Sequence, residues 1–345
     1  MKQQAFARSG RWNVATFTRL PTLLFASLLM ATLHSMPGHA ESVSLAIAGP
    51  MIGTSSAVGV QYRIGVEAAI ADLPEGRLLG AEIKVSAYDD SCNAEIAKVV
   101  AREIVSARPR VVIGHSCSNA TIATAPTYAA AGILQITPAS TNPKVTEMGI
   151  STLFRMIGRD DYQGEMAAER LATVHAGQKI GILRFPGAYS RGLSDIAVAS
   201  LARRGIAPAL IIEAASSSSS FAHQVEAFTN AAVDVVYLVG GGLDSAVFLR
   251  QRAQLEAPFA VIASDTLVSR VFIEAAGEFG EGTPFTFPPD AAGLSSSSHA
   301  LQRIRAMGQD PAGYTLLAYA AAEVWFEGVR RAGSFDPARV AAAIR

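Results

Sequence analysis

Val111-Val112-Ile113-Gly114-His115-Ser116-Cys117-Ser118 and, further on, Ile136-Thr137-Pro138-Ala139-Ser140-Thr141-Asn142-Pro143 share one design. Each is a short apolar, β-branched run that stops in small hydroxyl residues. Such runs read as strands buried on both faces, as in a parallel sheet. In open α/β sheets the crevice outside the strands' carboxyl ends is the usual ligand site, and a helix N-terminus behind it favours negative charge. Ser118 and Thr141 can each donate a hydroxyl hydrogen bond there, adjacent backbone N–H groups can donate others, and the Ala139 carbonyl is left as an acceptor. These residues therefore predict a small-anion site, a carboxylate in first place, with the N-cap role of Ser and Thr as the plainer reading.

Outward from these runs the same rhythm continues. Val43 to Ala48 and Glu82 to Tyr88 read as further strands, and Tyr62 to Leu73, Ala94 to Ser106 and Ala120 to Ala130 as helices, which makes a βαβ series. It restarts after residue 158. Strands are predicted at Lys179 to Arg184, Ala207 to Ile212, Val233 to Val239, Phe259 to Ala263 and Thr283 to Phe287, with helices at 162–175, 190–204, 221–230, 245–255 and 269–276. Two α/β sheets of similar size are the simplest account. A Pro/Gly/Ser-rich segment, 288–298, then leads to a helical portion at 298–307, 314–332 and 337–344. The serine runs 216–220 and 295–298 read as loops with N-caps at Ser220 and Ser298.

The N-terminus has its own logic. Lys2, Arg8, Arg11 and Arg19 precede an apolar run from Leu20 to Leu33, and Gly38-His39-Ala40 offers small residues before Glu41. This predicts a secretory signal peptide cleaved after Ala40, with a retained anchor as the other reading. No Cys stands near the cleavage site to carry a lipid. The signal holds four of the 29 Lys and Arg and none of the 29 Asp and Glu, so the mature chain has 25 against 29, a net charge of −4. Nucleic acid, which calls for a clustered basic surface, is not an expected partner. Only Cys92 and Cys117 are present. In an exported chain an even count suggests one disulfide, worth about 3 kcal/mol in the chain-entropy account. The alternative is a reactive Cys117 thiol beside His115.

The order and spacing of Ala48-Gly49-Pro50-Met51-Ile52-Gly53, Tyr88-Asp89-Asp90-Ser91-Cys92 and the two opening runs resemble the periplasmic leucine/isoleucine/valine-binding proteins. The likeness continues through Gln163-Gly164, Tyr189 with Gly192, Leu249-Arg250-Gln251 and Asp310-Pro311-Ala312-Gly313, so it covers nearly all of the mature chain. The resemblance implies a type I periplasmic binding protein: two doubly wound α/β lobes with a ligand cleft between them. It implies a signal at 1–40, a first lobe from 41–158 and 290–345, and a second from 159–289. Family members usually run on through a further interlobe crossing and closing strands, so the resemblance leads one to expect elements beyond Arg345 that this sequence does not show. It implies, by position, that Ser118 and Thr141 form a carboxylate clamp with Ser140 as a neighbouring ligand-binding residue, that the Ala139 carbonyl and Asp265 receive the ligand ammonium, and that Tyr189 closes the site from the second lobe. The family's disulfide falls on Cys92 and Cys117. Departures are an aromatic replaced near Gly241, another replaced by Val58, and a Glu replaced by the shorter Asp265. They imply a roomier or differently shaped pocket than one made for a small branched side chain. Asp244 reads as an exposed loop acid, with a further ligand acceptor as the other reading.

The function so implied is that of an exported, monomeric solute-binding protein that captures an amino acid in the periplasm and hands it to the membrane permease of an ABC transporter. Alternatives are a ligand sensor for a membrane receptor and a binder of another small carboxylate or amide. An enzyme is not expected. His115, His175, His223 and His299 are widely separated and lack metal-ligand spacing, no Gly-x-Ser-x-Gly elbow is present, and Gly240-Gly241-Gly242 is not the dinucleotide fingerprint. No cofactor and no metal are therefore expected.

Overall fold

The computed structural model describes residues 42–216 and 219–345, so the predicted signal and its cleavage site after Ala40 lie outside the described residues. The first lobe is built from β1 (Ser42–Gly49), α1 (Ser56–Ala71), β2 (Arg77–Leu78), β3 (Ala81–Asp89), α2 (Ala94–Ala107), β4 (Val111–Gly114), α3 (Ser118–Ala130), β5 (Leu134–Thr137), α4 (Lys144–Glu147) and β6 (Leu153–Arg155). Its sheet runs β2-β3-β1-β4-β5-β6, parallel throughout except for the β2–β3 pair. Alternation along the strands splits the core in two. Val43, Leu45, Ile47, Val111, Ile113, Leu134 and Ile136 face one side, and Ala46, Ala48 and Val112 face the other with Ala101, Ile104 and Tyr128 of α2 and α3. α2 starts where it does because the Asn93 side chain accepts from Glu95 N and Ile96 N at 2.8 and 3.1 Å.

The second lobe comprises α5 (Asp160–Val174), β7 (Ile180–Arg184), α6 (Ala188–Arg203), β8 (Leu210–Glu213), α7 (Ala222–Asn230), β9 (Val235–Val239), α8 (Gly242–Gln254), β10 (Ala260–Ala263) and α9 (Arg270–Ala276). Its parallel sheet runs β10-β9-β7-β8. Ile180, Ile182 and Tyr237 pack on α5 and α6, whereas Leu183, Val236 and Leu238 pack on an aromatic cluster of Phe221, Phe228, Phe248 and Phe259. The chain then supplies α10 (Ser298–Ala306), α11 (Thr315–Ala332) and α12 (Pro337–Ile344), whose Ile304, Tyr319, Trp325 and Val340 join the core under α1 and the six-stranded sheet. Tyr319 donates to Asp72 at 2.6 Å and pins α11 to the end of α1. No helix among the described residues is long and apolar enough to cross a membrane.

Several expectations need correction. The predicted strand at 283–287 is reduced to a single parallel bridge between Ala263 and Phe285. Pro284 has no N–H for a ladder, and Pro288 and Pro289 end the segment, so only Ala263 is bonded, to Pro284 O and from Thr286 N. β6, not anticipated, extends the first sheet through Gln135↔Leu153 to Thr137↔Arg155. Ser220 is not the N-cap of α7; that position is Phe221, although Ser220 Oγ accepts from Ala222 N at 3.3 Å. Likewise α10 begins at Ser298 with Ser297 as its N-cap, after a 3-10 turn over Ser295–Ser297.

The order of strands places the site. In the first sheet the winding reverses between β1 and β4, and in the second between β7 and β9. Residues just past these strand ends, Pro50 and Ser116 in one lobe and Phe185 and Gly240 in the other, line the same cavity. Two crossings of the chain run side by side next to it: a Cβ on Gly158 would stand 3.7 Å from Pro288 Cγ.

Candidate functional site

The first wall of the cavity is a strand end held rigid from behind. His115 is fully buried, with Nδ1 2.6 Å from Asp90 Oδ2 and Nε2 2.9 Å from Tyr128 Oη. Its carbonyl accepts from Thr121 Oγ1, Thr137 Oγ1 and Ser140 Oγ at 3.2, 2.7 and 3.1 Å. Cys92 and Cys117 are joined, with Cα atoms 5.5 Å apart, so the reactive-thiol alternative is closed, and both ring nitrogens of His115 are taken by Asp90 and Tyr128. Cys117 is also the N-cap of α3 and makes no side-chain cap. The first N–H groups of this helix therefore open on the cavity with Ser118 and Asn119. Ser118 Oγ accepts from Asn142 N at 3.3 Å, which leaves its O–H free to donate outward.

Behind this wall lies a buried polar layer. Arg155, the last residue of β6, donates through Nη1 to the carbonyls of Ser140, Thr141 and Asn142 at 3.2, 2.9 and 2.8 Å, and so fixes the path of the second hydroxyl-rich run. The Thr141 hydroxyl lies by the Asp160 carboxyl, yet neither completes a well-formed hydrogen bond with any described residue. Burial, reinforced by the nearby Asp265 charge, pushes the Asp160 carboxyl up to about 8. Asp265 is 2 % exposed and receives Gln163 Nε2 at 3.0 Å, Tyr314 Oη at 3.3 Å and Tyr189 Oη. Burial raises its carboxyl as well, against the lowering effect of these donors.

Together these surfaces enclose a cavity of about 500 Å³. Among the described residues that line it there is no Lys, Arg or His, and the acids are Asp244 and Asp265. The lobes touch across it. Asn142 Nδ2 donates to Ala188 O at 2.7 Å, and Tyr314, which packs with the first lobe, reaches Asp265 of the second. The first contact needs Gly192 on α6, where a Cβ would stand 2.4 Å from Asn142 Nδ2.

Of the residues singled out from the sequence, Ser118, Ala139, Tyr189, Gly241 and Asp265 line this one cavity, as do Val58 and Asp244. Ser140 does not: its hydroxyl is turned inward to His115 O, Ser116 O and Thr121 Oγ1. Thr141 stands just behind the lining, 1 % exposed, with its hydroxyl unengaged. Sequence reading missed Tyr314, Arg155 and Asp160. Tyr314 directly follows the recognised Asp310 to Gly313 stretch, and Asp160 precedes Gln163-Gly164 within one helical turn, so both were adjacent to signals already noticed. No group of three or more His, Cys, Asp or Glu among the described residues is placed to hold a metal ion.

Comparison with known proteins gives a consistent picture. The sequence profile of the family described as periplasmic binding protein matches residues 42–345. An amino acid binding protein of Pseudomonas aeruginosa is 31% identical over 91% of this chain and 86% of its own length. A leucine-, isoleucine-, valine-, threonine-, and alanine-binding protein of the same organism is 29% identical over 93% and 87%. Among solved structures, the leucine-binding protein LivK of Thermotoga maritima superposes with a TM-score of 0.79 at 28% identity, covering 88% of this chain and 87% of its own. A solute-binding protein of Rhodopseudomonas palustris in complex with benzoate shares the fold at 19% identity, with a TM-score of 0.79 over 88% and 85%.

Proposed function

The chain belongs to the periplasmic binding protein family, a family of solute binders and not of enzymes, and on that premise we propose that it captures an amino acid between its lobes and delivers it to the permease of an ABC transporter. The observation that carries this reading is the polarity of the cleft. Ser118 and the uncapped N-terminus of α3 offer donors on one wall, Asp265 offers a carboxylate opposite, and among the described residues no cationic side chain lines the space between. A zwitterion matches both ends. Its carboxylate meets Ser118 and the α3 N–H groups, with the Thr141 hydroxyl one layer behind, while its ammonium meets the Ala139 carbonyl and Asp265.

In this reading the first lobe, 41–158 and 290–345, presents the carboxylate clamp, and the second, 159–289, brings Tyr189 and Asp265 over the ligand. Ligand contacts made only in the closed form shift the population of lobe arrangements toward it. The closed form is what the permease recognises. The mature protein acts as a periplasmic monomer released by cleavage after Ala40. Relatives whose names state amino acid binding support this assignment.

A second reading has one observation in its favour. Gln163, Tyr189 and Tyr314 already donate to the buried Asp265 carboxyl, so Asp265 is satisfied within the protein and does not require an ammonium on a carboxylate ligand. A thermal-shift screen of residues 41–345 with amino acids and their des-amino counterparts separates the two. A ligand at about 100 times its Kd adds ~2.7 kcal/mol of stability. Shifts confined to the amino acids support the first reading, and equal shifts from the des-amino acids overturn it in favour of the second.

A further inference from the structure

Three consecutive glycines, Gly240, Gly241 and Gly242, form the second-lobe rim of the cleft at the end of β9, and they are not equivalent. A Cβ on Gly240 would stand 2.4 Å from Phe185 Cε2, and one on Gly242 would stand 2.2 Å from Ser269 Oγ. Both positions are closed by packing. Gly241 is the N-cap of α8, with φ −70° and ψ 158°, a conformation open to any residue. A Cβ there meets nothing nearer than Asp244 Oδ2 at 3.8 Å. Neither backbone nor packing requires glycine at 241, and yet the residue lines the cavity. What its missing side chain provides is space inside the ligand site.

From this we infer that Gly241 is a specificity-determining residue that leaves open a side-chain subsite, and that the ligand filling it is an amino acid with a ring-bearing side chain. The inference rests on the amino acid reading above and adds the identity of the side chain. Three observations support the class. The cavity of about 500 Å³ falls in the range of pockets that enclose drug-sized molecules, ~300 to ~1,000 Å³, and so has room for a ring-bearing amino acid. The residues that line the cavity with Gly241 include Phe185, whose ring edge lies against Gly240, Tyr189, Leu243 and Val271, beside the Asp244 carboxylate. An aromatic side chain buries a large apolar area there and gains from edge or offset packing on the half-buried Tyr189 ring. The absence of Lys, Arg and His from the described lining, beside Asp244 and Asp265, leaves an anionic side chain without a counter-charge.

The test is calorimetry on wild type, Gly241→Ala and Gly241→Leu with phenylalanine, tyrosine, leucine, valine and arginine, and with 3-phenylpropanoate and 4-methylpentanoate as ammonium-free counterparts. Wild type is expected to bind phenylalanine or tyrosine at least tenfold more tightly than leucine or valine. Gly241→Leu is expected to weaken the ring ligands at least tenfold while changing valine less than threefold, and Gly241→Ala to fall between. Thermal unfolding of the ligand-free variants checks that both fold, as the open space at this position implies. Tighter binding of leucine, valine or arginine by wild type, or equal weakening of every ligand by Gly241→Leu, overturns the inference. Binding of only the ammonium-free acids overturns the amino acid reading and leaves the size preference to be read on the two acids. Binding by neither series overturns both.

Discussion

Asp160→Asn is expected to stabilise the protein at neutral pH and leave it unchanged in acid. The Asp160 side chain is fully buried, and both carboxyl oxygens are without a hydrogen-bond partner among the described residues. Its carboxyl is raised from 3.8 to about 8 by burial and by Asp265. Below pH 3.8 both folded and unfolded chains hold the proton, and the residue costs nothing. Above it the unfolded chain releases the proton while the folded chain keeps it, so stability falls as pH rises and levels off near pH 8. At about 1.4 kcal/mol per pH unit the penalty is roughly 4 kcal/mol at pH 7 and at most ~6 kcal/mol at the plateau. Asparagine keeps the shape without the titration. With an unfolding entropy of ~2.1 cal/mol/K per residue, roughly 4 kcal/mol raises Tm by about 6 °C at pH 7. Scanning calorimetry of ligand-free wild type and variant between pH 4 and 8.5 measures the difference directly. It should vanish near pH 4 and grow with pH. A variant that is less stable at pH 7, or a difference independent of pH, refutes the argument, because Asp160 would then be ionised and paired with Arg155.

Other consequences follow from the same geometry. Ser118→Ala removes the hydroxyl that faces the cavity; loss of one charge-assisted donor costs about 1.5 to 3 kcal/mol, so carboxylate ligands should bind roughly ten- to a hundredfold more weakly in calorimetry, and an unchanged Kd removes Ser118 from the clamp. Asp265→Asn should weaken amino acids far more than ligands without an ammonium; equal losses for both would end its assigned role. Because burial holds the Asp265 carboxyl high and an arriving ammonium favours its ionised form, amino acid binding should release protons, seen as a binding enthalpy that depends on the buffer's ionisation enthalpy, and should tighten as pH rises toward that raised value. Replacing Cys92 and Cys117 by Ser should lower stability by about 3 kcal/mol. It should also weaken binding, since Cys117 is the N-cap of α3; a variant with unchanged affinity would show that the disulfide serves stability alone.

Much of this architecture was legible because buried parallel strands announce themselves as unbroken apolar runs. Val111 to Gly114 is buried at every position and was readable as a strand from residue type alone. β6 was not, because Leu153–Arg155 is three residues long and ends in a charge whose task, holding three carbonyls of the neighbouring loop, is tertiary. The segment 283–287 has strand composition, but its prolines deny it a ladder. In the site, residue type marked Ser118, Ala139, Ser140 and Thr141 as one group, but only the fold shows that two hydroxyls diverge: Ser140 turns inward while Ser118 faces the cavity. Tyr314 and Gln163 meet Asp265 across 49 and 102 residues of sequence, a separation at which local pattern carries no information.

The most direct test of the central claim is calorimetry of the mature chain with one amino acid, its methyl ester and its des-amino acid. Capture of a zwitterion between the Ser118 clamp and Asp265 predicts that the free amino acid binds and that removing either charged group weakens binding at least tenfold. If the des-amino acid binds as tightly as the amino acid, Asp265 does not hold an ammonium; if the ester does, the strand ends around Ser118 do not hold a carboxylate, and the account fails at its base.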